Sequence, residues 1–329
     1  MTFKYNNVYI NAVSTVTGPY ESKGPLSKYY DKSYDDLYFG TNTWEQAESK
    51  IIEESVDLLL NKIGKTKFDI ELLISGDLLN QIVASNYAAS SLGIPFLGIY
   101  SACASSVEGL IIGANMIEAN QIKNCICSTS SHNNAAEKQF RYPIEYGGPK
   151  PKTATFTSTG GASAYLTYNK KGIKVESATI GIVNDIGFKD VFHTGAVMAP
   201  AAADTIYRHL NDTKREVGYY DLILTGDLGV IGKDILKEYA ELEYGLKLTN
   251  HDDAACMIYD LNKQAVYSGA SGPACLPLVT YGYIFSKMKK KELRRVLLVA
   301  TGALMSPTMV NQKLSIPGIA HAISLEVVE

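Results

Sequence analysis

The chain nearly repeats itself. Phe68-Asp-Ile-Glu-Leu-Leu-Ile-Ser-Gly-Asp77-Leu78 returns as Tyr220-Asp-Leu-Ile-Leu-Thr-Gly-Asp227-Leu228, and each copy is followed by the same order of features. After the first come Ser101-Ala-Cys103-Ala-Ser-Ser106, a helical stretch and the apolar run Cys125-Ile-Cys-Ser-Thr129. After the second come Ser271-Gly-Pro-Ala-Cys275, another helical stretch and Val296-Leu-Leu-Val-Ala-Thr301. The spacing from Cys103 to Thr129 equals that from Cys275 to Thr301. Two copies of one α/β unit, each too apolar on its strands to stand alone in water, are satisfied by packing against each other around a shared core. At 329 residues, 46% of them hydrophobic, the chain is long enough to bury such a core. The division expected is an N-terminal half over 1–170, with an insertion at about 130–156, and a C-terminal half over 171–329.

Within each half the pattern is strand, loop, helix, strand. Glu45 to Ile63 places Ala47, Ile51, Ile52, Ser55, Leu58, Leu59 and Lys62 at helical spacing, and a strand over Asp69 to Ile74 follows. Asn80 to Leu92 reads as a second helix ended by Gly93 and Pro95, and Val107, Leu110, Ile111, Ala114 and Ile117 form the stripe of a third beginning just after Cys103. Leu278 to Lys290 plays that part in the second half. Strands alternating with helices imply mostly parallel sheets between helical layers. The insertion, Ser130 to Phe156, is long, polar and aromatic, which inside a compact domain often marks function.

Composition excludes several classes. A net charge of −3 offers no basic footprint for nucleic acid. Five cysteines, mostly in apolar or strand-like contexts, read as reduced cytosolic thiols. Met1-Thr-Phe-Lys-Tyr-Asn-Asn7 lacks the order of a signal peptide, and no apolar run approaches the roughly 20 residues of a membrane span, so a soluble or peripheral chain is expected.

A strand end, Ala102-Cys-Ala-Ser-Ser106 and a helix starting at the cysteine together resemble the nucleophile segment of the thiolase and ketoacyl synthase superfamily. That resemblance implies an α/β fold of a duplicated thiolase-like type, five layers αβαβα with two mixed, mostly parallel sheets. A narrower resemblance lies in Gly76-Asp-Leu-Leu-Asn-Gln81, Ser130-Ser-His-Asn133, Gln139-Phe-Arg-Tyr-Pro143, Glu145-Tyr-Gly-Gly148, Met198-Ala-Pro-Ala-Ala-Ala-Asp-Thr205 and Thr301-Gly-Ala-Leu304. These are similar to the stage V sporulation protein AD family of spore-forming bacteria, over nearly the whole chain. The resemblance implies a dipicolinic acid binding protein of the forespore cytoplasm, peripheral at the inner spore membrane, that works with membrane-embedded channel proteins and needs no cofactor. The superfamily's habit implies a homodimer.

The residues qualify the chemistry. Cys103 at a helix N-terminus has a setting that favours a thiolate. The base and amide donor that a condensing enzyme sets opposite it would fall, by the repeat register, in Gly226-Asp227-Leu228 and Gly269-Ala-Ser271-Gly272, and neither holds a histidine or an asparagine. The catalytic set therefore reads as dismantled, unless His132, His251 or His321 arrives from elsewhere. What remains is an anion site for a flat aromatic dianion. Cys103 and the backbone after it are expected to meet one carboxylate and Arg141 or His132 the other, an arginine fork suiting a carboxylate well. Asn80, Ser131, Tyr142, Ser271, Gly272 and Thr301 complete the expected wall. Asp77, Asp227 or Glu145 would complete an oxygen shell if the ligand arrives as its calcium chelate.

Plainer readings stand beside these. Cys103 can be a packed thiol, Asp77 and Asp227 can cap the turns after their strands, and Arg141 can pair with Glu137 one helical turn away. Cys125 and Cys127 alternate on a strand and read as core. The tract Lys287 to Arg295 reads as a solvated helix end, with an anionic membrane or partner surface as the other reading. An active acyl-thioester enzyme using Cys103 and a purely structural subunit are the alternative functions.

Overall fold

A computed structural model describes residues 1–141 and 150–328. The first half carries β1 (Thr2–Lys4), β2 (Tyr9–Thr17), β3 (Lys32–Ser33), α1 (Trp44–Ile63), β4 (Leu73–Gly76), α2 (Val83–Leu92), β5 (Phe96–Gly98), α3 (Ser105–Glu118), β6 (Asn124–Ser131), α4 (Asn133–Ala136), β7 (Phe156–Thr157) and β8 (Gly160–Thr167). The second carries β9 (Ile173–Ile180), α5 (Thr194–Thr213), β10 (Leu222–Thr225), α6 (Gly229–Tyr244), β11 (His251–Asp253), β12 (Ala270–Ser271), α7 (Cys275–Leu278), α8 (Phe285–Lys289), β13 (Arg295–Ala303), α9 (Pro307–Asn311) and β14 (Gly318–Val327).

Local chemistry sets the boundaries. The Thr43 hydroxyl accepts the Gln46 N–H at the start of α1, and Gly64 in the left-handed region closes it at φ 63°. Its buried stripe contains Ala47, Ile51, Ile52 and Leu59, as the spacing predicts. The helix predicted from Leu278 starts earlier, at Cys275, because Pro277 sits in the first turn, where its missing N–H has no partner to lose. A π turn over Val279–Ile284 joins α7 to α8.

Strand order repeats as the sequence does: β5-β4-β6-β8-β2 in one half and β11-β10-β13-β14-β9 in the other. In each, the strands joined through helices are parallel, β4 with β5 and β6, and β10 with β11 and β13. The next two pairings in each half are antiparallel. The two mixed sheets are sewn edge to edge where Tyr9 and Ile10 of β2 pair with Lys174 and Ile173 of β9.

Five layers follow. α3 and α7–α8 share one core with Ile74 and Leu166 of the first sheet and Leu224 and Leu298 of the second. α1 and α2 cover Leu73 and Ile126 from outside, while α5 and α6 cover Ile223, Leu297 and Val299. Each such aliphatic side chain contributes about 1.5–3 kcal/mol on burial. Cys125 and Cys127 are buried against α3, where a Cβ on Gly113 would lie 2.6 Å from the Cys125 sulfur.

One buried carboxyl ties the halves together. Glu21, wholly buried after β2, accepts the Thr159 N–H and the Tyr259 hydroxyl from the other half. Burial pushes its carboxyl from an ordinary 4.5 to about 7, against the pull of those hydrogen bonds. A raised carboxyl binds its proton more tightly in the folded state. Its contribution is therefore present below pH 4.5 and lost as pH rises through about 7. Glu21→Gln should remove roughly 3 kcal/mol of this loss, so urea unfolding at the two ends of that window should differ less in the variant than in the parent chain. Equal pH dependence in both would overturn the assignment.

Candidate functional site

The Cys103 turn is built under strain. Ala102 is buried with φ 49°, a left-handed conformation that costs a non-glycine residue about 1–2 kcal/mol. It is held by the Ser105 N–H and hydroxyl, which both donate to the Ala102 carbonyl, while the Ser105 oxygen accepts the Ser101 N–H. Gly302 of β13 makes room for the turn, since a Cβ there would stand 2.4 Å from the Ser101 carbonyl oxygen. Strain of this kind gathers where a side chain must be aimed. Here it aims Cys103 into a cavity between the halves.

That cavity is small, with about 40 Å³ of free space, and is lined by Leu78, Tyr100, Ala102, Cys103, Phe140, Arg141, Thr157, Thr194, Met198, Ser271, Ala303 and Met305. It adjoins an outer cleft of about 440 Å³ that shares Leu78, Tyr100, Phe140 and Met305 and adds Asn80. The inner chamber is mainly apolar.

Three hydroxyls converge on Arg141. Its Nη1 donates to the hydroxyls of Thr157 and Ser271, each at 2.7 Å, and its Nη2 donates to the Thr155 hydroxyl at 2.6 Å. β7 and β12 pair in parallel with Thr157 opposite Ser271, so two strand ends from different halves deliver the two hydroxyls side by side. The expected pairing with Glu137 is absent; Glu137 is bridged by Lys150 at 2.8 Å. Among the described residues no carboxylate lies within ion-pair distance of Arg141. The local signal for Thr155 and Thr157 is the alternation Thr153, Thr155, Thr157, Thr159, a strand-period row of hydroxyls outside the expected wall residues.

Asp227 is wholly buried, and neither carboxyl oxygen has a hydrogen-bond partner of good geometry. Burial first, then the neighbouring Asp253, push its carboxyl far above the ordinary range, with Arg141 opposing. Thr301 accepts the Asp227 N–H at 3.2 Å. Burial and then Asp227 also push the Cys103 thiol upward, again against Arg141. Cys275, at the matching helix start, spends its thiol on the Gly226 carbonyl at 3.2 Å. The helix end offers an anion less than the sequence suggests. The N–H groups of Ala104, Ser105, Val107 and Glu108 are all engaged by carbonyls of Ser101, Ala102 and Ala104.

Several expected wall residues sit elsewhere. His132 is buried away from the cavity, with Nε2 against the Leu37 carbonyl at 2.8 Å and Nδ1 accepting the Ala135 N–H as the cap of α4. Burial pushes its imidazole down to about 4, so it is a neutral brace. Asp77 caps its own turn, accepting the N–H groups of Leu79 and Ser85, each at 2.8 Å. Asn80 reaches only the outer cleft. Ser131 donates to the Ser158 carbonyl and packs under Gly272, whose φ of 102° and 2.6 Å Cβ approach to the Ser131 oxygen require glycine. Tyr142 and Glu145 lie outside the described residues. His251 bonds Thr225 and His321 bonds Ser101 and Gly181; neither lines the cavity.

A strained cysteine turn, a chamber between two copies of one α/β unit and five αβαβα layers define a thiolase-like protein. Solved structures agree on the fold. The chain is similar to 3-oxoacyl-[acyl-carrier-protein] synthase III from Aquifex aeolicus VF5, at 11% identity and TM-score 0.59 over 97% of this chain and 100% of that one. It is also similar to cerulenin-bound OleA from Xanthomonas campestris, at 13% identity and TM-score 0.62 over 98% and 100%. The family model for stage V sporulation protein AD (SpoVAD) matches residues 1–326. Stage V sporulation protein AD of Bacillus subtilis (strain 168) is 45% identical over 319 residues, 97% of this chain and 94% of the relative. The chain belongs to the stage V sporulation protein AD family.

The site separates brace from ligand contact. His132→Ala should lower stability by about 1–3 kcal/mol, the range for stranding a buried polar partner. Arg141→Ala frees only hydroxyls that can rotate, and should shift unfolding by less than that. Urea denaturation of both variants checks the ranking, and a stable His132→Ala protein would refute the brace.

Proposed function

We propose that the chain binds dipicolinic acid in the Cys103 chamber and serves its uptake into the developing spore, without catalysing a reaction. The carrying observation is Arg141: a guanidinium at the wall of an apolar chamber, bedded on three neutral hydroxyls and matched by no carboxylate among the described residues. A cation so held is organised for an anionic ligand, and a planar fork fits a carboxylate. Tyr100, Phe140, Met198 and Met305 supply faces for a flat ring. Asp227, buried beside the chamber with its carboxyl pushed toward the neutral form, does not repel the dianion.

The non-catalytic reading is supported by the same geometry. The Cys103 thiol is pushed away from thiolate formation, and among the described residues no histidine or asparagine lines its chamber. The fold and the strained cysteine turn favour a second reading, an acyl-thioester enzyme. Family membership favours work at the inner spore membrane beside membrane-embedded channel proteins, and the chain itself has no helix among its described residues long and apolar enough to cross a membrane. We further infer that it acts from the forespore cytoplasm as a homodimer, and that calcium enters, if it enters, only as part of the ligand's chelate.

Calorimetric titration with dipicolinate tests the reading. Arg141→Ala should weaken binding tenfold to a hundredfold, the scale of about 1.5–3 kcal/mol for a charge-assisted hydrogen bond. Cys103→Ala should weaken it less, and intact mass after acetyl-CoA or malonyl-CoA should be unchanged. Undiminished binding by Arg141→Ala would move the ligand elsewhere; a stable acyl adduct lost in Cys103→Ala would restore the enzyme.

A further inference from the structure

α2 begins later than its sequence allows. The residues read as helix from Asn80, yet the helix starts at Val83. Just before it, Gln81 and Ile82 both sit in the left-handed region, at φ 55° and 49°. That conformation is costly for any residue other than glycine and most costly for a β-branched one, so two in succession persist only where their surroundings hold them. Three contacts do so. The Asn80 N–H donates to Gln139 Oε1 at 3.0 Å, and the Asn86 amide donates to the Gln81 carbonyl at 2.8 Å. The Ile82 side chain fills a notch over Gly98, where a Cβ would stand 2.4 Å from Ile82 Cδ1. Asp77 pins the ends of the segment by accepting the Leu79 and Ser85 N–H groups, which confines any rearrangement to the residues between them.

Two of these contacts lead to the wall between the Cys103 chamber and the outer cleft. Leu78, Tyr100, Phe140 and Met305 line both spaces. Gln139 is the neighbour of Phe140, and Gly98 ends β5 two residues before Tyr100. The turn therefore buttresses Phe140 on one side and Tyr100 on the other. Size makes movement of this wall necessary. The 40 Å³ of free space in the chamber holds about three water molecules, and no ring bearing two carboxylates. The 440 Å³ cleft lies just beyond the same four side chains.

We propose that the Asn80–Ile82 turn is a latch on the Cys103 chamber. Closed, it holds Phe140 and Tyr100 together. Open, Gln81 and Ile82 relax into right-handed helix continuous with α2, the bond to Gln139 and the notch over Gly98 are given up, and the chamber joins the cleft. Strain in the closed turn works against its three contacts, which brings the two states closer in free energy, as a switch requires. The inference rests on the Cys103 chamber being the ligand's seat, and supplies the way in that a chamber of this size needs.

Alkylation of Cys103 by N-ethylmaleimide in the full chain, followed by peptide mass mapping, reads the opening without any ligand, because the reagent is too large for the closed chamber. Two substitutions at exposed positions push the latch in opposite directions. Gln81→Gly lifts the left-handed penalty and weakens the helical alternative, so labelling should slow about tenfold. Asn86→Ala removes a contact of the closed turn and favours the helix, so labelling should quicken about fivefold. Cys256, partly exposed and outside the chamber lining, should label at the parent rate in all three chains. Equal Cys103 rates in the three chains, or no Cys103 labelling in any, overturn the latch. Dipicolinate association by stopped flow should follow the labelling with dissociation unchanged, as expected when the binding-competent state is a minor population. Labelling that shifts while dipicolinate association does not leaves the latch standing and refutes the chamber as the ligand's seat. Parent affinity in Arg141→Ala refutes that seat too, and leaves the labelling result to decide the latch.

Discussion

The structure depends on the burial of its middle layer. α3 and α7–α8 lie between two sheets and share one core with both. Neither half can shed these helices to water without exposing Val107, Leu110, Leu276, Leu278 and Phe285 together. The hydrophobic term that joins the halves thus places both helix starts, and with them Cys103 and Cys275, at the seam. A chamber at that seam is a consequence of the duplication. Its lining is necessarily drawn from both copies, which is why Ser271 and Met198 face Cys103 and Phe140.

The two copies then diverge in the use of one carboxylate. Asp77 and Asp227 end equivalent strands, yet Asp77 accepts two backbone N–H groups while Asp227 accepts none of good geometry. The difference has a visible cause. In the second half Asp253 performs the capping, accepting from Thr225, Leu228, Gly229 and Ala255. With its turn already satisfied, Asp227 is released from structural duty and stands within electrostatic reach of Cys103 and Arg141.

Much of this was legible in the residues. The helix stripes follow from periodicity, and equal spacing after the two cysteines foretold their equivalent positions. The site was less legible because its contacts are long-range. Arg141 was identifiable as a cation in a suspicious insertion, but its partners come from positions 155, 157 and 271, which only the pairing of β7 with β12 brings together. His132 misled for a physical reason. A histidine beside a serine-rich strand end resembles a pocket donor, and nothing local reveals that the Leu37 carbonyl and the Ala135 N–H occupy both ring nitrogens. The helix N-terminus misled similarly, since whether its N–H groups are free depends on the turn before it, and here Ala102's left-handed conformation folds the preceding carbonyls back onto them.

Charge placement at the chamber follows from these facts. With the N–H groups of Ala104, Ser105, Val107 and Glu108 occupied, a dianion there has Arg141 as its cation, and a second ionised group at Asp227 would cancel that charge in a low-dielectric setting. Burial resolves the conflict by holding Asp227 toward its neutral form, and the same burial keeps Cys103 a thiol. One environment therefore does two things: it leaves Arg141's charge unopposed for an anion, and it withholds the thiolate on which acyl chemistry depends. The desolvation that disfavours the Cys103 thiolate penalises any carboxylate brought into the chamber as well, so an anion there depends on Arg141 to offset the cost of leaving water.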